Sequence, residues 1–133
     1  MSDAIVYLDV SDVREGALDE LKAGMKELAA FVEANVPRII AYHVSFSDDG
    51  TRMTVMHVHP DPASLENHLE VAGPMFRRLA SFVTLRSIQI YGEPSERALE
   101  RSRAKADLLG RGRAQLVVEP LHAGFTRFAS RAV

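Results

Sequence analysis

The segment that decides the fold is residues 39–62, which read IIAYHVSFSDDGTRMTVMHVHPDP. Two runs rich in apolar, aromatic and β-branched residues, 39–46 and 52–59, flank a polar loop at 47–51. Asp49-Gly50 in this loop favours a hairpin, because glycine adopts the positive φ that such turns need. Asp61 and Pro62 suit the cap and the first position of a helix. The segment therefore predicts a β-hairpin that leads directly into a helix.

Further elements are predicted on both sides of this segment. Apolar residues spaced by three and four place a helix at 17–34. The helix after Asp61 is expected to reach about Ser81, with an interruption or bend at Gly73-Pro74. Ser95 can cap a third helix that ends near Gly110. Strands are predicted at 4–10, 39–46, 52–59, 82–91 and 114–119.

The order of these elements is β-α-β-β-α-β followed by a helix and a strand. This order indicates an α+β fold of ferredoxin-like topology, with an antiparallel sheet covered by two helices on one face. The 133 residues suit one globular unit. We divide them into a ferredoxin-like α+β barrel domain, 1–94, and a C-terminal helix–strand extension, 95–133. The extension is expected to pack on the domain or across a dimer.

The predicted hairpin carries apolar residues on both of its faces. Met53 and Val55 face one way in the second strand, and Met56 and Val58 face the other. Two helices cover only one face of a sheet, so the second face needs another partner. We expect a homodimer with the sheets facing each other, since two-fold dimers are the commonest oligomers. The alternative is that the C-terminal helix and strand cover this face within one chain.

Composition excludes several classes of protein. The chain has no cysteine, so it has neither disulfides nor thiolate metal ligands. No apolar stretch reaches the roughly 20 residues of a membrane span, and the N-terminus does not resemble a signal peptide, so we expect a cytoplasmic protein. Net charge is −6 over residues 1–95 and +4 over 96–133. The charges of residues 97–107 alternate in sign, which is typical of a solvated helix face rather than of a nucleic-acid site.

The hairpin and the second helix resemble the antibiotic-biosynthesis-monooxygenase type of dimeric α+β barrel. The resemblance covers about residues 4–91 and rests on the topology and on an apolar strand followed by Asp61, Ser64-Leu65 and His68. It implies a dimer whose sheets enclose a pocket for a small apolar or aromatic molecule. Family members include cofactor-free oxygenases of polycyclic phenols, haem-degrading enzymes and proteins with no known activity, and of these the resemblance favours cofactor-free oxygenation of a phenol. The chain departs from the family in having no tryptophan, and His59 stands about where the family often has one. The residues alone leave open whether the chain is an enzyme.

Four of the five histidines lie in the hairpin and second helix, and three of them are the candidate catalytic residues. His57 and His59 are two apart in a strand and so project from one face. His68 lies on or beside the buried stripe of the second helix. An imidazole can accept a proton near neutral pH. The alternative is that all three are polar residues bonded to backbone groups or to water.

Tyr42 and His43 are the candidate ligand-binding residues of the neighbouring strand. We predict no cofactor and no metal. A second hypothesis is a metal site that uses His57 and His59, but two histidines are a weak signature without a third ligand. A third is a non-catalytic dimeric interaction module. A cavity of about 300 Å³ or more beside the histidines would favour a ligand binder, and a filled interior would favour the module.

Overall fold

A computed structural model describes residues 3–127 of the chain. Its order of elements confirms the predicted ferredoxin-like α+β fold with an added helix and strand. The strands are β1 Ile5–Val13, β2 Ala41–Phe46, β3 Arg52–His59, β4 Val83–Tyr91 and β5 Gln115–Glu119. The helices are α1 Leu18–Asn35, α2 Pro62–Arg77 and α3 Glu96–Leu109, with a short 3₁₀ turn at Ala80–Phe82. Residues 128–133 of the predicted extension lie outside the described residues.

The five strands form one mixed sheet in the order β2-β3-β1-β4-β5. The first four are antiparallel neighbours, as the ferredoxin-like topology requires. The added β5 runs parallel to β4 and lengthens the same sheet. This arrangement places β1 at the centre of the sheet, where its inward side chains lie beneath the helices.

The hairpin forms where the sequence predicts it. Gly50 has a φ of 73°, the conformation expected of glycine in this loop. The β2–β3 register pairs Tyr42 with His57 and His43 with Met56. Since opposite residues of paired strands share a face, Tyr42 and His57 point to the helices, whereas His43 and Met56 point to the other side of the sheet.

Helix α2 begins where the sequence predicts, but it ends at Arg77 rather than near Ser81. The Asp61 side chain accepts a hydrogen bond from the backbone N–H of Ser64 at 3.0 Å. Pro74 lies inside the helix, so of the two expected alternatives at Gly73-Pro74, an interruption or a bend, the interruption is wrong. One missing N–H is tolerated there because Ala72 and Phe76 on either side remain buried against the core.

Helix α3 carries mostly exposed charged residues, as their alternation predicts, but Arg101 and Lys105 are half-buried. It packs against α2, β4 and β5 of the same chain. Ala98, Ser102, Ala106 and Leu109 form its buried stripe. Because this stripe is narrow, the residues beside it also come close to the interior, and Lys105 is one of them.

Within residues 3–127, no helix lies on the second face of the sheet. Its apolar side chains are half-buried in the single chain: Val6, Leu8, Val10, Met56, Val58 and Val117. Among residues 3–127 no helix is long and apolar enough to cross a membrane.

Candidate functional site

A cavity of about 160 Å³ lies between the inner face of the sheet and helices α2 and α3. Its apolar wall consists of Leu28, Val55, Leu69, Ala72, Phe76 and Leu109. Its polar wall consists of Asp9, Tyr42, His57, His68, Arg101 and Lys105. Arg77 and Leu108 also line it and are exposed, which places the mouth of the cavity between the C-terminal halves of α2 and α3.

Three predicted catalytic histidines come together beside this cavity. The ring centroid of His57 lies 4.3 Å from that of His68 and 4.9 Å from that of His59. The β3 alternation brings His57 and His59 to the inner face, and the α2 stripe directs His68 towards them. All three are buried, but only His57 and His68 line the cavity. His59 therefore lies behind His57 and does not face a ligand.

The nitrogens of two of these histidines are joined in a hydrogen-bonded chain. His57 Nδ1 lies 2.7 Å from His59 Nε2, and His59 Nδ1 lies 2.7 Å from the Ser64 hydroxyl oxygen. The His57 ring also stacks on Tyr7, with centroids 4.1 Å apart and planes 18° apart. These contacts hold His57 in one orientation.

All three histidines are neutral at pH 7. Burial is the main cause, because it disfavours the charged imidazolium. It lowers the pKa of His68 to about 3, and the effect is increased by the charge of Lys105 and by that of His59 when His59 is protonated in acid. It lowers the pKa of His59 to about 4 against the opposing influence of Asp61, and it lowers the pKa of His57 well below its usual value.

A buried ion pair forms the polar end of the cavity, and sequence reasoning missed it. Lys105 Nζ donates to Asp9 Oδ2 and to the Tyr7 hydroxyl oxygen, both at 2.9 Å. The Tyr7 hydroxyl also donates to Asp9 Oδ2 at 3.0 Å. Asp9 is 1% exposed, and its Oδ1 has no hydrogen-bond partner among the described residues. Alternation along β1 could have identified Asp9, because it shares the inward face with Ile5 and Tyr7.

The ammonium group of Lys105 also faces aromatic rings. It lies 4.2 Å from the centre of the Phe76 ring and 5.2 Å from that of Tyr7, within the range of cation–π attraction. Burial and the charge of Asp9 raise the pKa of the Tyr7 and Tyr42 hydroxyls, so both stay protonated. The cavity thus presents the cations Lys105 and Arg101, the carboxylate of Asp9, the neutral hydroxyl of Tyr42 and two imidazoles.

The two predicted ligand-binding residues have different positions. Tyr42 lines the cavity, and its ring lies 5.6 Å from that of His57. His43 is exposed on the opposite face of the sheet. The structure does not bring His43 to the site, because adjacent strand residues point to opposite faces.

The geometry of the histidines does not favour a metal centre. Within residues 3–127 no three histidine, aspartate or glutamate side chains are placed to hold a metal ion. His57 and His59 direct nitrogens at each other rather than at a shared point. The arrangement is suited to hydrogen bonding and proton transfer.

Comparison with known proteins relates this chain to others through structure alone. No family model matches the sequence, and no curated protein matches it. MupZ from Pseudomonas fluorescens has a similar structure, with a TM-score of 0.71 and 18% identity over 96% of this chain and 91% of that one.

Two shorter proteins share the same fold. SnoaB from Streptomyces nogalater, a cofactor-independent oxygenase, has a TM-score of 0.59 and 18% identity over 71% of this chain and 96% of its own. A Nitrosomonas europaea protein, provisionally named an antibiotic biosynthesis monooxygenase, has a TM-score of 0.58 and 14% identity over 70% of this chain and 92% of its own. The chain therefore has the fold of antibiotic-biosynthesis-monooxygenase-like proteins, as the resemblance implies.

Proposed function

We propose that this protein binds a small, single-ring phenol in the cavity between the sheet and helices α2 and α3. The observation that carries the proposal is the composition of the cavity wall. One part is apolar and suits an aromatic ring, and the other part holds His57, His68 and Lys105 at its polar end. Small-molecule sites commonly combine an apolar lining with a few placed polar groups in this way.

The size of the cavity supports a ligand of one ring. Its volume of about 160 Å³ is below the roughly 300 Å³ or more that would favour a ligand binder, but the interior is not filled as an interaction module would require, so volume alone does not decide between the two. A cavity of about 150 Å³ in another protein holds benzene. A single ring with one or two oxygen substituents fits this space, whereas a polycyclic phenol does not unless the mouth widens.

The polar groups support proton transfer from the bound phenol. His68 lines the cavity as a neutral imidazole, so it can accept a proton from a bound ligand. We assign it the role of base: the phenol O–H bond breaks and an N–H bond forms on His68. The depressed pKa of His68 means that the imidazolium forms only beside the phenolate, whose charge offsets it. Lys105 stabilises the same anion.

Oxygenation of the phenolate is the reaction that we propose for the site. SnoaB, which has this fold, is a cofactor-independent oxygenase. A phenol and O₂ give a quinone and water: one oxygen atom becomes the new carbonyl oxygen, and the other leaves as water. The phenol loses a ring hydrogen and its hydroxyl proton and supplies all four electrons, so no external reductant is needed.

We further propose that the protein works as a homodimer joined through the open face of the sheet. The half-buried apolar side chains of this face support the proposal, since Leu8, Met56 and their neighbours gain burial when a second sheet covers them. The side chains of the open face, such as Met56, point away from the face that carries His57, so we expect dimerisation and ligand binding to be separate properties.

Titration with 4-nitrophenol tests binding and deprotonation together. At a pH where free 4-nitrophenol is mostly protonated, the bound form should absorb as the phenolate. His68→Leu should bind the probe without this absorbance change. His43→Asn is the matched control, because it removes a histidine from the opposite face, and it should behave as the unmodified chain does. A phenolate band that persists in His68→Leu would remove His68 from the role of base.

Turnover is tested with single-ring phenols under ¹⁸O₂. One labelled oxygen atom should appear in the quinone, and His68→Leu and His68→Asn should each slow its formation by about a hundredfold or more. Binding without oxygen uptake for every phenol would contradict catalysis. It would leave a ligand binder that is not an enzyme.

A further inference from the structure

The hydrogen-bonded chain that runs from Ser64 through His59 to His57 has one end at the cavity. Ser64 is 2% exposed, His59 is 0% and His57 is 1%, so none of the three groups exchanges its hydrogen bonds with bulk water. Of the three, only His57 lines the cavity. Ser64 and His59 can therefore affect a ligand only through their effect on His57.

The direction of the hydrogen bonds follows from an account of the available hydrogens. Among residues 3–127, the Ser64 hydroxyl has one hydrogen-bond partner, His59 Nδ1. A buried hydroxyl needs an acceptor for its hydrogen, so Ser64 donates to His59 Nδ1. His59 is neutral and then carries its single N–H on Nε2, which donates to His57 Nδ1.

The hydrogen of His57 can be assigned to one of its two ring nitrogens in the same way. Its Nδ1 accepts from His59, and a neutral imidazole has one N–H, so the hydrogen lies on Nε2. The hydrogen bond of Nδ1 to His59 fixes which nitrogen faces inward, and stacking on Tyr7 with planes only 18° apart holds the plane of the ring. His57 thus keeps an N–H for the ligand rather than a lone pair.

We propose that Ser64 and His59 fix His57 as a neutral hydrogen-bond donor, and that its Nε2–H binds the oxygen of the phenol or phenolate in the cavity. The inference rests on the proposed function and gives two histidines opposite roles. His57 donates to the ligand oxygen, and His68 accepts the proton. Ser64 and His59 are positioning residues, since they act on the ligand only through His57. The preferred ligand therefore carries an acceptor oxygen.

The reverse direction of the chain is less favourable for a structural reason. If His57 carried its hydrogen on Nδ1, it would donate to His59, and His59 would donate to Ser64. The Ser64 hydroxyl hydrogen would then have no acceptor among the described residues. A switch of direction also requires hydrogens to move at all three groups together, so the chain resists a change at one of them.

Nitrogen NMR of the full-length, ¹⁵N-histidine-labelled protein tests the inference without a ligand. His57 and His59 should both show the Nε2–H tautomer. Ser64→Ala should shift both rings towards Nδ1–H, and Ser64→Thr should keep the original pattern because it keeps the hydroxyl. Ser102→Ala is the matched control: it removes a buried hydroxyl that has no hydrogen-bond partner among the described residues. A proton on His57 Nδ1 in the unmodified protein would overturn the proposal, even if Ser64→Ala failed to fold.

Addition of 4-nitrophenol separates this inference from the proposed function. Weakening of probe binding by about tenfold in Ser64→Ala, with no change in Ser102→Ala, would support the donor role of His57. Equal binding in both variants would overturn that role. If 4-nitrophenol does not bind the unmodified protein, both the proposed function and the donor role of His57 are refuted. The tautomers measured without ligand would still decide whether Ser64 and His59 fix the position of the hydrogen on His57.

Discussion

Replacement of Lys105 by methionine tests how strongly the buried carboxylate of Asp9 depends on its cation. Methionine keeps most of the apolar stem that packs on Phe76 but removes both 2.9 Å contacts of the ammonium group. Removal of one partner of a buried ion pair costs about 3–5 kcal/mol, because the other charge stays buried and uncompensated. The Lys105 side chain is 19% exposed, so water can reach its end of the pair through the cavity. We therefore expect a loss of about 3 kcal/mol in the free energy of unfolding, at the lower end of that range.

Urea denaturation of a double-mutant cycle measures this loss. The double variant Asp9→Asn, Lys105→Met removes both charges and should recover most of the stability, with an interaction energy of about 2 kcal/mol or more. Lys26→Met is the control, because Lys26 is exposed on α1 and should change stability by less than about 0.5 kcal/mol. If Lys105→Met is as stable as Lys26→Met, the ion pair does not hold Asp9, and the reasoning is refuted.

Three other predictions concern pH, assembly and the cavity. The pKa of His59 is lowered to about 4 and that of His68 to about 3 from an ordinary 6.5, so the unfolded chain binds their protons first. Stability should fall as pH decreases from about 6.5 towards 4, by about 1.4 kcal/mol per pH unit for each group, and urea midpoints of His68→Asn should show a shallower fall. Met56→Asp should convert the proposed dimer into a monomer, as measured by sedimentation, and should leave 4-nitrophenol binding unchanged. An unmodified protein that sediments as a monomer would contradict the dimer. Gly73 lines the cavity, and a Cβ added there meets nothing within 4 Å. Gly73→Ala should raise stability by about 0.5–1 kcal/mol in urea, whereas Gly73→Leu should block probe binding, and equal binding by both variants would place the ligand elsewhere.

Local patterns in the sequence were sufficient for most of the fold. Period-two alternation predicted that His57 and His59 share a face, and the spacing in α2 predicted that His68 lies on the buried side. Asp49-Gly50 and Asp61-Pro62 marked the hairpin and the start of α2. These signals succeed because each depends on backbone geometry within a few residues. Pro74 is the exception, since the packing of its neighbours outweighed its local preference.

Only the tertiary structure decided which distant groups meet. Asp9 and Lys105 are 96 residues apart in the chain and pair because α3 packs across α2 and the sheet. The alternating charges of α3 did not reveal this pair. Such a pattern predicts that a helix face is mostly exposed, but it does not identify the single side chain that turns inward. The positioning role that we propose for His59 was also out of reach of the sequence, because it depends on the hydrogen bond between His59 and Ser64 of α2. Local periodicity determines the face on which a residue lies, and the packing of elements that are remote in sequence determines what it contacts there.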